Sequence, residues 1–125
     1  MKTHLVIFKA FSDETRLRIL FLLAIRELCV CELVAVLDMP QGKISRHLAL
    51  LKHADIVTDR RDGTWIYYSL RPGESDPLKR LTPYLRSGEL DSEMIQADRM
   101  RLDTLTDEGR ICVPNPAHVP PASRN

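Results

Sequence analysis

The chain has 125 residues, with 18 Lys or Arg against 17 Asp or Glu and a formal net charge of +1. That length suits one domain, which should bury roughly 65% of the surface its unfolded chain exposes, and it leaves no room for a second full domain. No apolar run approaches the roughly 18 residues of a membrane span, and "MKTHLVIFKAFSDETR" lacks the apolar length and small-residue cleavage site of a secretory signal. Three cysteines are an odd number and too few for a disulfide framework, so the expected setting is a reducing cytoplasm.

Along the chain, Leu5, Phe8 and Phe11 give a short first helix an apolar side. In "FSDETRLRILFLLAIRE", Ser12 suits an N-cap and Asp13 and Glu14 suit the positive first turn, so a second helix is predicted from about 13 to 25 with Leu17, Leu20, Phe21 and Ala24 inward. A short third helix should begin near Val30 and stop before Asp38-Met39-Pro40, because Pro40 disfavours helix at the residue before it. Ile44, Leu48 and Leu51 mark the buried stripe of a fourth helix, which leaves Gln41, Lys43, Arg46 and His47 on its open side. "IVTDRRDGTWIYYSL" then changes to period two, with Asp62-Gly63 as the hairpin turn.

Beyond the hairpin, Asp76-Pro77 reads as a helix start, with Leu78, Leu81 and Leu85 as an apolar stripe that Pro83 should bend. Asp91 can cap a last helix running to about 107. The predicted domain is 1–111, mainly α with a two-stranded β-hairpin, and "VPNPAHVPPASRN" makes 112–125 a flexible proline-rich tail. So small a domain has little core left for helices at both ends. These are the expected homodimer surface, giving a winged helix-turn-helix that reads a two-fold operator in double-stranded DNA.

Charge follows the same geometry. From Gln41 to Arg71 six basic residues meet three acidic ones, a net of +3, whereas from Pro72 to Ile111 six meet nine, a net of −3. The expected DNA contacts are Gln41, Lys43, Ser45, Arg46 and His47 on the reading helix, with Arg60, Arg61 and Thr64 on the wing. Trp65 is expected to pack within the wing rather than to stack on bases. No Ser, His and Asp grouping, Gly-rich phosphate loop or C-x-x-C spacing suggests an enzyme.

"ELCVCEL" sets Cys29 and Cys31 one residue apart at the start of the third helix. Soft thiolates select trivalent arsenic and antimony, Cu(I), Cd, Pb or Zn, and a helix N-terminus should keep such a thiol ionised. Spacing alone leaves open that both are inert core residues. On a helix, residues i and i+2 do not face each other, so the pair can share one metalloid only if the backbone between them is extended or the first turn unwinds. A Cys29–Cys31 disulfide would close a strained loop, so oxidation should favour Cys112 or another chain.

"FKAFSDETRLRILFLL", "ELCVCEL", "GKISRHLALLKHADIV" and "DRRDGTWIYYSL" resemble the ArsR family of metalloregulatory winged-helix repressors, in particular the arsenical-resistance operon repressors, over about residues 5 to 71. The resemblance implies a homodimeric repressor that leaves operator DNA when As(III) or Sb(III) binds Cys29 and Cys31. Two departures are visible. Val34 stands where such repressors often carry a third cysteine, and no histidine lies between Tyr68 and Cys112 to build the zinc site of other relatives. A third sulfur would have to come from Cys112 or a small thiol. A redox-sensing repressor, a repressor sensing another soft metal ion and a ligand-blind DNA-binding module remain as alternatives.

Overall fold

The structure, a computed structural model, describes residues 1–71, 78–87 and 92–109. Four helices come first: α1 (Lys2–Phe11), α2 (Glu14–Leu23), then, after a two-residue strand β1 (Leu28–Cys29), α3 (Val30–Leu37) and α4 (Gln41–His53). Strands β2 (Val57–Asp62) and β3 (Trp65–Leu70) form the wing, and α5 (Leu78–Ser87) and α6 (Glu93–Asp107) follow. The family of elements is the winged helix-turn-helix expected from the sequence, with one addition. Leu28 and Cys29 pair antiparallel with Tyr68 and Tyr67, so the hairpin is the larger part of a three-stranded sheet of order β1-β3-β2.

Local chemistry explains most boundaries. Asp13, not Ser12, caps α2: its carboxylate accepts the Arg16 N–H at 3.0 Å, whereas the Ser12 hydroxyl donates back to the Phe8 carbonyl. This correction follows from chain direction, since Ser12 still belongs to the end of α1. Asp38 ends α3 in the left-handed region at φ 53, a conformation its short polar side chain tolerates, and Pro40 then opens α4. Gly63 turns the wing at φ 65. Pro83 lies inside α5. The start predicted at Asp76-Pro77 and the cap predicted at Asp91 lie outside the described residues, and Ser92 precedes α6.

The core is continuous. Ile44, Leu48 and Leu51 of α4 are all fully buried, as is Leu33 of α3, and they meet Ile19, Leu20 and Leu22 of α2. Leu85 and Leu102 carry α5 and α6 into the same cluster. A bidentate ion pair fixes α6: Arg18 donates from Nε and Nη2 to the two oxygens of Asp98 at 2.8 and 2.9 Å, and Asp98 is almost fully buried. Arg101 adds a bond to the Ala35 carbonyl of α3 at 3.4 Å. Leu5 and Phe8 of α1 and Met94 and Met100 of α6 are left exposed. No helix among the described residues is long and apolar enough to cross a membrane.

Replacing one member of a buried pair strands the other charge. Asp98→Ala should therefore destabilise the protein by about 3 kcal/mol in denaturant unfolding. A loss under about 1 kcal/mol would show that solvent already screens the pair.

Candidate functional site

Cys29 stands where strand becomes helix. Its backbone is extended (φ −85, ψ 165), and it is the N-cap of α3. Its sulfur accepts the Glu32 N–H, while Glu32 Oε1 accepts the Cys29 N–H at 3.0 Å, a reciprocal cap in which cysteine takes the place usual for serine. Because the chain is extended at Cys29 and helical at Cys31, the two sulfurs come within 3.3 Å with no unwinding of the helix. That separation exceeds a disulfide bond of about 2.05 Å. Cys29 is a free, buried thiol; Cys31 is half-buried and disulfide-bonded, though not to Cys29. Cys112 lies outside the described residues. Among those residues no group of three or more His, Cys, Asp or Glu could hold a metal ion.

The expected thiolate at the helix start is not what the structure gives for Cys29. Burial first, and the Glu32 carboxylate beside it second, push this thiol up to about 12. A sulfur removed from water next to a carboxylate outweighs the field of one helix end. Glu32 is itself buried and is held by Arg26, whose Nη2 donates to Glu32 Oε2 at 3.1 Å and to Thr106 Oγ1 of α6 at 3.3 Å.

On α4, Gln41, Ser45 and Arg46 are exposed and Lys43 is half-buried. Three of the six cations between Gln41 and Arg71 are already paired: Lys52 with Asp59 at 3.0 Å, Arg71 with Asp55 at 3.4 Å, and Arg60 with Glu27. Arg60 is held on both sides of its guanidinium, by the Glu27 carboxylate at 3.0 Å and by the Tyr67 ring, whose centroid lies 4.6 Å from its central carbon. Among the described residues, Lys43, Arg46 and Arg61 make no ion pair, and these are the cations of the outer α4 face and the wing. Thr64 is exposed at the wing turn. A cleft of about 240 Å3 separates the cysteines from the wing, lined by Cys29, Cys31, Gln41, Thr64, Trp65 and Ile66.

His47 faces inward from that surface. Arg16 donates from Nη1 to His47 Nδ1 at 3.2 Å, which fixes the neutral ring with its proton on Nε2, and Asp13 lies 3.9 Å from the same nitrogen. Arg16 in turn donates to the Ala10 and Lys9 carbonyls at the end of α1. His47 thus ties α4 to the α1–α2 corner.

With this geometry in hand, the description "Bacterial regulatory protein, arsR family" matches residues 13–59. The arsenical resistance operon repressor of Bacillus subtilis is 40% identical over 72 residues, covering 57% of this chain and 69% of that protein. The chain belongs to the arsR family. The arsenic resistance transcriptional regulator ArsR1 of Pseudomonas putida is 53% identical over 68 residues, 54% of this chain, and the match spans only 53% of that relative's length. Among solved structures, reduced HlyU from Vibrio cholerae N16961 superposes with a TM-score of 0.61 at 31% identity, covering 72% of this chain and 92% of that one. The arsR match falls on the stretch of this chain that holds the cysteine pair and α4.

The arsR segment also contains residues that sequence reasoning passed over. Glu27, Arg26 and Glu32 surround the cysteine pair, and Arg16 buttresses α4. The S/T-x-x-E form of a capping box was present as Cys-x-x-Glu, a signal that substituting sulfur for oxygen hides.

Burial, followed by the cations Arg16, Lys43 and Arg46, lowers the His47 pKa despite the opposing carboxylate of Asp13. The neutral ring therefore contributes stability that is present above the unfolded value of 6.5 and is lost as pH falls through the lower folded value. His47→Gln should flatten the fall in Tm between about pH 7 and pH 5. A slope equal to that of the wild type would assign the pH dependence to another group.

Proposed function

We propose that the chain is a transcriptional repressor that binds operator DNA as a homodimer and leaves it when As(III) or Sb(III) is taken up by Cys29 and Cys31. The observation that carries this reading is the sulfur pair at 3.3 Å, on residues that line one cleft with the first residue of α4, in a chain of the arsR family. With metal–sulfur bonds of about 2.3 Å, as zinc thiolates have, that spacing subtends an angle of about 92°. This is well below the tetrahedral angle zinc adopts and suits a pyramidal three-bonded centre carrying a lone pair.

DNA contact is assigned to the uncommitted side chains: Gln41, Lys43, Ser45 and Arg46 on α4, with Arg61 and Thr64 on the wing. Arg60 and His47, also expected at the DNA, have internal partners. We assign His47 to positioning α4, and Arg60 to holding the wing against Glu27. The exposed Leu5 and Phe8 of α1 and Met94 and Met100 of α6 are the apolar side chains on which a second copy would pack.

Once a thiol or phosphine reductant has opened the disulfide at Cys31 and left it as S–H, being itself oxidised to a disulfide or to the phosphine oxide, uptake of the inducer is a condensation: each As–OH and each S–H combine to give an As–S bond and a water. The Cys29 proton leaves in that water, so its high pKa does not prevent the reaction. The Cys29 sulfur is also the acceptor for the Glu32 N–H. Committing it to a metalloid weakens the α3 cap, and α3 packs through Leu33, Val36 and Leu37 against the core face of α4. The disulfide at Cys31 favours a second reading, in which peroxide oxidises thiols of the same repressor to a disulfide and water.

Two measurements check the main reading. Cys29→Ser and Cys31→Ser should keep operator affinity in reduced protein and lose arsenite-driven release, and release by peroxide but not by arsenite in the wild type would favour the redox reading. A Cβ at Gly42, the second residue of α4, meets nothing within 4 Å inside the protein. Gly42→Ala should therefore stabilise the fold by up to about 1 kcal/mol while weakening operator binding about tenfold, if this backbone approaches DNA. Unchanged binding would move the DNA contact away from the start of α4.

A further inference from the structure

We propose that Glu27, Tyr67 and Arg60 are positioning residues that couple the cysteine segment to the wing, so that a change at Cys29 moves the wing as well as α4. The inference rests on the reading of the cysteine pair as the inducer site and names the route from that site to the second DNA element. Cys29 of β1 stands opposite Tyr67 of β3, and Tyr67 stands opposite Arg60 of β2. Residues directly opposite one another in a sheet share a face, so these three form one row across all three strands. Arg60 ends the row with its guanidinium carbon 4.6 Å from the centroid of the Tyr67 ring. Glu27, two residues before Cys29, reaches the same guanidinium. Arg60 Nε donates to the two Glu27 oxygens at 3.1 and 3.0 Å, and Arg60 Nη2 donates to Oε1 as well.

The backbone of Glu27 is fixed to the cap of α3. Arg26 Nη1 donates to the Glu27 carbonyl at 3.1 Å, and Arg26 Nη2 donates to Glu32 Oε2, on the carboxylate whose other oxygen accepts the Cys29 N–H. Glu27 is thus tied by its backbone to the cysteine cap and by its side chain to β2. A metalloid that draws the Cys29 sulfur away from the Glu32 N–H shifts this segment, and the row and the Glu27 contact carry the shift to β2. Arg61 and Thr64 follow, because Arg61 is the next residue of β2 and Thr64 lies in the turn that joins the two wing strands. The Glu27–Arg60 pair is partly exposed, with side-chain exposures of 24% and 41%, so it adds little to the stability of the fold by itself. Its loss should alter position rather than folding.

Protein reduced with a phosphine and desalted without oxygen would be titrated onto labelled operator DNA, with and without saturating arsenite, and read by fluorescence anisotropy. Arsenic retained through a second desalting step reports inducer binding separately. The proteins compared are the wild type, Glu27→Gln, Arg60→Gln and the double variant, with Arg60→Lys, which keeps the charge but loses the planar fork, in place of Arg60→Gln should that variant fold poorly. Each variant should retain arsenite, while the ratio of operator Kd with arsenite to that without it falls about fivefold below the wild-type ratio. The double variant should lose no more than either single one, because all three break the same contact. An unchanged ratio, with affinity lowered equally in both states, would reduce the contact to a structural brace and overturn the coupling. Losses that add in the double variant, or a variant that no longer retains arsenite, would overturn it too. A reduced wild type that binds no arsenite, or binds it and stays on the operator, would overturn the inducer reading and this inference with it.

Discussion

The reciprocal cap between Cys29 and Glu32 is the contact on which the arrangement of the site depends. A helix start leaves backbone N–H groups without partners, and here one is satisfied by a thiol sulfur rather than by a hydroxyl. For that sulfur to reach the Glu32 N–H, Cys29 must remain extended, and an extended Cys29 can pair with Tyr67 as the end of β1. The same geometry brings Cys31 alongside, in the first turn of α3. One backbone conformation thus caps the helix, adds the third strand and sets the sulfur spacing. Glu32 closes the arrangement by accepting the Cys29 N–H and by anchoring Arg26, which reaches α6 through Thr106.

Electrostatics divides the cations into two groups. Arg16, Arg18, Arg26 and Arg60 have partners within the protein: each bonds a carbonyl, a carboxylate or a ring, and each joins elements distant in the chain. Lys43, Arg46 and Arg61 make no ion pair among the described residues and sit on the outer α4 face and the wing. A net charge of +1 conceals this, because what a polyanion meets is the local surplus of unpaired cations rather than their total. Arg60, adjacent to Arg61 and equally basic, reaches across β3 to Glu27, since neighbours in a strand face opposite ways.

The arsR match joins these two halves because it covers both the cysteine pair and all of α4. The physical link between them is short. Gln41 opens α4 and shares a cleft with both cysteines, and α3 and α4 share one core. A change at the sulfurs need not travel through the protein to reach the proposed DNA face; it is already beside it.

The sequence by itself determined the helices and the wing, because apolar periodicity, proline, and the Asp62-Gly63 turn act locally. It marked Ile44, Leu48 and Leu51 as the buried stripe of α4, and it singled out Cys29 and Cys31 by their spacing. Tertiary structure decided what depends on residues far apart in the chain. The strand β1 exists only because β3 offers an edge to pair with, and two residues carry no periodicity of their own. The side-chain partners of His47 and Arg60 are Arg16 and Glu27, which lie 31 and 33 residues away. The protonated state of Cys29 was likewise a tertiary outcome: the helix start next to it is visible in sequence, but the burial that overrides it comes from packing against the rest of the fold.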